Sequence, residues 1–148
     1  QNYGAGRKDR VFQCYWISIC NTVAVALAFG LLICAFGRPF LGMFTADQAV
    51  IEAGMIRLQI MGLSYWISVF MDGSIAASRG LGQSAVPTVL VLLGSCLFRL
   101  IWIYTIFAFF GTVTSLYLLY PCSWTLTGVA ETWYFLRLYK RTVKDSVA

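Results

Sequence analysis

The stretch VFQCYWISICNTVAVALAFGLLICAFG, residues 11–37, decides the fold: it is 27 consecutive positions without one charge. A helix needs only about 20 apolar residues to cross the hydrocarbon core of a bilayer. No water inside that core can satisfy backbone N–H and C=O groups, so a segment dwelling there is helical. Working outward, Arg38-Pro39 stops this first segment. Thr45-Ala-Asp47-Gln48 then reads as a Thr-x-x-Gln capping box that opens a second helix. Asp47 and Glu52 lie in or near its first turn, where the helix dipole favours acids. This helix runs to about Arg79. The turn Gly80-Leu-Gly82-Gln-Ser84 follows, with Ser84 as cap of a third helix and Pro87 in its first turn. That helix reaches about Phe110, and Gly111-Thr-Val-Thr114 breaks it. A fourth segment runs from about Ser115 to Tyr139, with a kink expected at Pro121, before a basic tail over 140–148. The spans are thus about 11–37, 47–79, 85–110 and 115–139, and the fold class is an all-α, polytopic transmembrane helical bundle.

Composition agrees. Of 148 residues 59% are hydrophobic and 11% charged, against about 25% charged in soluble domains. So few charges cannot cover a water-soluble globule, and so much apolar surface excludes a disordered tail. There is no histidine, which removes Ser-His-Asp triads, Cys-His pairs and His-ligated zinc. Cys14, Cys20, Cys34, Cys96 and Cys122 are odd in number, contain no Cys-x-x-Cys, and read as small apolar packing residues. The sequence offers no cofactor motif and no nucleophile–base pair, so an enzyme is the least supported class. Gly80-x-Gly82-x-x-Ala85 imitates a dinucleotide fingerprint, yet no strand precedes it. Gly73-x-x-x-Ala77 and Ala76-x-x-x-Gly80 read as small-residue pairs for close helix packing.

Lys and Arg number 11 against six Asp and Glu. Four spans bring both ends of the chain to one side. Arg7, Lys8, Arg10, Arg79, Arg137, Lys140, Arg141 and Lys144 fall there, and only Arg38 and Arg57 fall opposite. By the positive-inside rule the basic side is cytoplasmic. The basic balance is therefore a topology signal, and nucleic acid is not an expected partner.

Asp72, Arg99 and Glu131 stand within apolar surroundings, where each costs about 2.5–3.5 kcal/mol on insertion scales. Polar residues recur with them at helical spacing. Ser64, Ser68 and Asp72 share a face of the second helix; Ser95 and Arg99 of the third; Thr127 and Glu131 of the fourth; Cys14, Ser18 and Asn21 of the first. Such stripes suit the walls of a solvated pathway. Equally, the hydroxyls can bond their own backbone or join helices. We expect Asp72 and Glu131 to share or exchange a proton or cation, with an Asp72–Arg99 ion pair as the structural alternative. Ser64, Ser68, Ser95 and Thr127 are the expected cavity-lining residues.

Several local sequences resemble the MATE (multidrug and toxic compound extrusion) transporters. Gln1-Asn-Tyr-Gly-Ala-Gly6 before basic residues is similar to the loop before their ninth helix. Met71-Asp72 with Arg79-Gly80-x-Gly82-x-Ser84-x-x-Pro87 resembles their tenth-to-eleventh helix junction. Arg99-x-x-Trp102-Ile103-x-Thr105 and Tyr120-Pro121-x-Ser123-Trp124 look like the next two helices. The resemblance implies a twelve-helix antiporter of the bacterial inner membrane, built as two six-helix bundles. It exports cationic drugs and other organic cations against Na⁺ or H⁺, with no other cofactor. This chain, which begins at Gln1, would be a fragment holding the last four helices of the C-terminal bundle, and inactive alone. Its partners would be the bilayer, the missing N-terminal helices and a small organic cation. Some members bind the coupling cation at an acid on the tenth helix, the helix that carries Asp72 here. A complete four-span antiporter acting as a dimer, and a membrane scaffold without transport, remain alternatives.

Overall fold

The computed structural model describes residues 1–144. It consists of four long helices in series: α1 Lys8–Gly42, α2 Gln48–Gly80, α3 Ala85–Phe110 and α4 Val113–Lys144. Among the described residues, α1, α2 and α3 are each long and apolar enough to cross a membrane. The fourth is equally long but carries more hydroxyls along with Glu131.

Each boundary has a local cause. Pro39 does not stop α1, which continues to Gly42. A proline within the last turn removes one hydrogen bond where the ladder is already ending. Asp47, not Thr45, caps α2: its Oδ1 accepts from the Ala49 N–H at 2.9 Å, while Thr45 Oγ1 accepts from the Asp47 N–H at 3.1 Å. Ser84 occupies the cap of α3 without a side-chain bond. Gly111, at φ +60°, ends α3 in the left-handed conformation that glycine adopts at least cost. The fourth helix starts at Val113, two residues earlier than expected, runs through Pro121, and carries the predicted tail on as helix to Lys144. Residues 145–148, including Asp145, lie outside the described residues.

The chain zigzags. Gly30 faces Gly62, and Ile19 covers Gly73, so α1 and α2 are antiparallel. Gly128 lies beside Met71 and Thr132 beside Ser74, so α2 and α4 run parallel. Thr127 faces Gly94 and Ser123 meets Arg99, so α3 and α4 are antiparallel. Packing is heaviest between α1 and α2 and between α2 and α4, which makes α2 the partition of the molecule. Two close approaches set the spacing. A Cβ on Gly30 would collide with the Gly62 carbonyl, and one on Gly94 with the Thr127 side chain. Small residues at helix crossings act this way in membranes, where apolar contact with a helix gains little over contact with lipid. Of the expected small-residue pairs, Gly73 does pack, under Ile19, whereas Gly80 has nothing near it.

Where Gly94 meets α4, the third helix widens to i→i+5 hydrogen bonding over Leu92–Leu97, and again over Ile103–Phe107. Ser123 donates to the Gly94 carbonyl at 3.1 Å. Near the end shared by both termini, Tyr15, Ile19, Val69, Leu81 and Phe135 form the apolar core. Phe12 stacks on Tyr139 there, and Lys8 Nζ donates to the Thr142 carbonyl, a cation at a helix C-terminus. Phe29, Leu31 and Phe36 on α1 stay more than half exposed. A water-soluble monomer seldom shows so large an apolar face; lipid or further helices suit it.

The cysteines depart from expectation. All five are unpaired, but Cys14, Cys20, Cys96 and Cys122 are exposed. Cys14 lines a groove along α1 and α2 and its Sγ accepts from Asn2 Nδ2 at 3.3 Å, and none of the four fills the core.

Candidate functional site

Along α1 and α2 runs an open groove of ≈ 990 Å³, at the upper end of the sizes typical of small-molecule pockets. The two helices approach closely at glycines, Gly30 to Gly62, Gly37 to Met55, Gly54 to Leu41 and Gly73 to Ile19, and the groove runs past Gly30, Gly62 and Gly73 between longer side chains. The walls are mostly apolar. Ser18, Thr22 and Tyr15 of α1 and Ser68 of α2 supply hydroxyls, and Tyr65 an aromatic face. Asp72 is the one charged side chain in the lining, and it is exposed to the groove. A lone carboxylate amid aromatic and hydroxyl groups can attract a cation, inorganic or organic. Oxygen donors suit hard cations, and ring faces suit organic ammonium groups.

The structure divides the residues expected to line one cavity. Ser68 and Asp72 line the groove. Ser64 does not; its hydroxyl donates back to the Ile60 carbonyl. Ser95 approaches Met71 Sδ at 4.0 Å, beneath α3. Thr127 is buried under Gly94 and donates to the Ser123 carbonyl at 2.8 Å. For Ser64, Thr127 and also Ser68, whose Oγ donates to the Tyr65 carbonyl at 2.8 Å, the backbone-bonding alternative holds, because a hydroxyl on a helix satisfies itself on the preceding turn.

Arg99 makes no ion pair with Asp72. Its Nε donates to Ser123 Oγ at 3.2 Å and its guanidinium lies 4.7 Å above the Tyr120 ring, joining α3 to α4. Trp102 adds a second tie, its indole N–H donating to the Ser115 carbonyl at 3.0 Å. Among the described residues the one ion pair is Arg38–Glu52 at 2.8 Å, exposed where α1 and α2 meet their connecting loop.

Glu131 lies elsewhere again. It is 0% exposed, is not part of the groove, and neither carboxyl oxygen has a hydrogen-bond partner. Asp72 and Glu131 therefore do not meet as a shared site: α2 stands between them. Sequence reasoning also missed a hydroxyl chain that crosses this partition. Tyr15 OH and Ser74 Oγ are 2.9 Å apart, and Ser74 Oγ and Thr132 Oγ1 are 3.0 Å apart. Its signal was present in Ser74 and Ser78, one turn apart on the face of α2 opposite Asp72.

The comparisons with known proteins fit this architecture. The family model MatE matches residues 1–105, which cover α1, α2 and most of α3. No curated protein matches the chain. A match over most of the chain, together with its array of apolar helices, makes this protein a member of the MatE family of multi-pass membrane efflux transporters.

Proposed function

We propose that the protein is a secondary active antiporter that exports small organic cations in exchange for Na⁺ or H⁺, with Asp72 as the groove carboxylate for which the two cations compete. One observation carries the reading: a single acid exposed in a large, mainly apolar groove of a MatE-family chain. Apolar and aromatic walls accept an organic body, and the carboxylate selects for positive charge. Exchange follows if both cations need the same negative charge. Bound coupling ion displaces the drug on one side of the membrane, and drug displaces the ion on the other. Alternating access supplies the two sides, as one helical unit rocks against another about a site near mid-membrane. Each cation shifts that equilibrium only by its difference in affinity for the two states.

The exposed apolar face of α1 and the open side of the groove support a further part of the reading. Additional helices of the same transporter close the groove, and the chain alone does not transport. The clustering of Arg and Lys at the shared end of α1 and α4 supports a cytoplasmic placement of that end, in a bacterial inner membrane. Transport by the full-length transporter in lipid vesicles, with Na⁺ and pH gradients imposed independently, tests the coupling. Asp72→Asn should lose gradient-driven uptake. Uptake that ignores both gradients in the unsubstituted protein would refute antiport altogether.

A further inference from the structure

Away from the groove, on the face of α4 whose Thr127 packs on Gly94 of α3 and one residue before the Thr132 contact with α2, a carboxylic acid is sealed among the helices. Glu131 is fully buried, both of its oxygens lack a partner, and it forms no ion pair among the described residues. A bare carboxylate in such a place is among the costliest of buried groups, and proteins avoid it by pairing, metal binding or protonation. Pairing is absent. The neighbourhood supplies hydroxyls rather than a set of anionic ligands: no three His, Cys, Asp or Glu residues cluster among the described residues. Ser78 Oγ is also buried and unpartnered at this interface, one turn along α2 from Ser74, which bonds Thr132 beside Glu131 in the chain.

We propose that Glu131 is a proton-binding site separate from Asp72, and that its proton holds α4 closed against the helices packed on it. The step balances simply. A proton from water forms an O–H bond on one carboxylate oxygen, and the site passes from one negative charge to none. Neutral, the acid can remain in the interface. Ionised, it must reach water or a cation, and that requires α4 to part from the helices that cover it.

The charged and titratable groups around it fit this role. From α2, Arg79 is exposed and forms no ion pair with Glu131. It lies at the exposed end of the helix, where it can receive the carboxylate once the interface opens. Asp72, on the same helix, faces the groove. From α1 comes Tyr15, already engaged with Ser74. From α3 the nearby turns offer no acid or base, and Arg99 is held higher up by Ser123. On α4 itself, Arg137 lies over the Trp133 ring at 3.9 Å.

Infrared spectroscopy of the purified protein in lipid vesicles at neutral pH reads the proton directly, whether or not the transport reading is correct. The wild type should show a carboxylic-acid C=O band that Glu131→Gln removes and Asp72→Asn retains. If Glu131→Gln does not fold, Glu131→Asp keeps an acid in place and should move the band without abolishing it. The proposal is overturned if substituting residue 131 leaves the acid band unchanged, or removes an ionised-carboxylate band instead. The latter would mean that Glu131 is ionised, bare or bound to a metal cation.

Discussion

The two faces of α2 differ more than their sequences suggest. Asp72 and Ser74 are two residues apart, about 200° around the helix. One opens on a groove of ≈ 990 Å³; the other is buried and bonded on both sides, to Tyr15 and to Thr132. On the groove face, α1 touches α2 through glycines and leaves space between. On the far face, α4 packs along the helix, with Gly128 against Met71 and Thr132 bonded to Ser74, and Glu131 of α4 is fully buried nearby. The lesson is that an acid in a membrane helix takes its role from what the facing helix brings. Opposite the first acid there is room for a ligand. The second is fully buried, and neither of its oxygens has a partner.

The contrast predicts that groove substitutions change transport and spare stability, while those on the far face do the reverse. The largest effect is expected from Asp72→Asn, which should reduce gradient-driven transport to the level of empty vesicles. Its thermal unfolding in detergent should match the wild type, because the side chain supports no contact that the fold needs. Next comes Gly94→Leu on the far side. It drives a side chain into Thr127 and should cost about 3 kcal/mol, the upper end of overpacking effects. A clear fall in unfolding temperature would show it; an unchanged one would mean that α3 and α4 are not in the close contact described.

Ser74→Ala is subtler. It removes the middle of the Tyr15–Ser74–Thr132 chain and should cost about 1 kcal/mol, in the range measured for hydrogen bonds between membrane helices. The loss should appear in unfolding and not in substrate affinity. Smallest is Arg38→Ala. The Arg38–Glu52 pair is 61% and 55% exposed, so its removal should change stability by less than about 0.5 kcal/mol. It is the control that touches neither face.

Much of this was legible in the sequence, for physical reasons. Charge-free runs such as residues 11–37 can only be membrane helices, so the number and order of the helices followed from length alone. Gly111 announced the last break because a left-handed residue favours glycine. What could not be read was rotation. Helical spacing placed Ser68 with Asp72 and Thr127 with Glu131 correctly within each helix. It carried no information about which stripe faced which helix, so four stripes were merged into one pathway. The facing is set by the glycine contacts at Gly30–Gly62 and Gly94–Thr127, which are long-range. The caps shifted similarly: Asp47 outcompetes Thr45 because its carboxylate reaches the Ala49 N–H directly.

One measurement bears most directly on the central claim, that Asp72 is the coupling carboxylate of a cation exchanger. Efflux of a fluorescent organic cation should be followed in vesicles holding the full-length transporter, unsubstituted or with Asp72→Asn, with the Na⁺ and pH gradients set one at a time. One imposed gradient should drive the unsubstituted transporter, and neither should drive Asp72→Asn. Undiminished, gradient-dependent efflux by Asp72→Asn would contradict that claim.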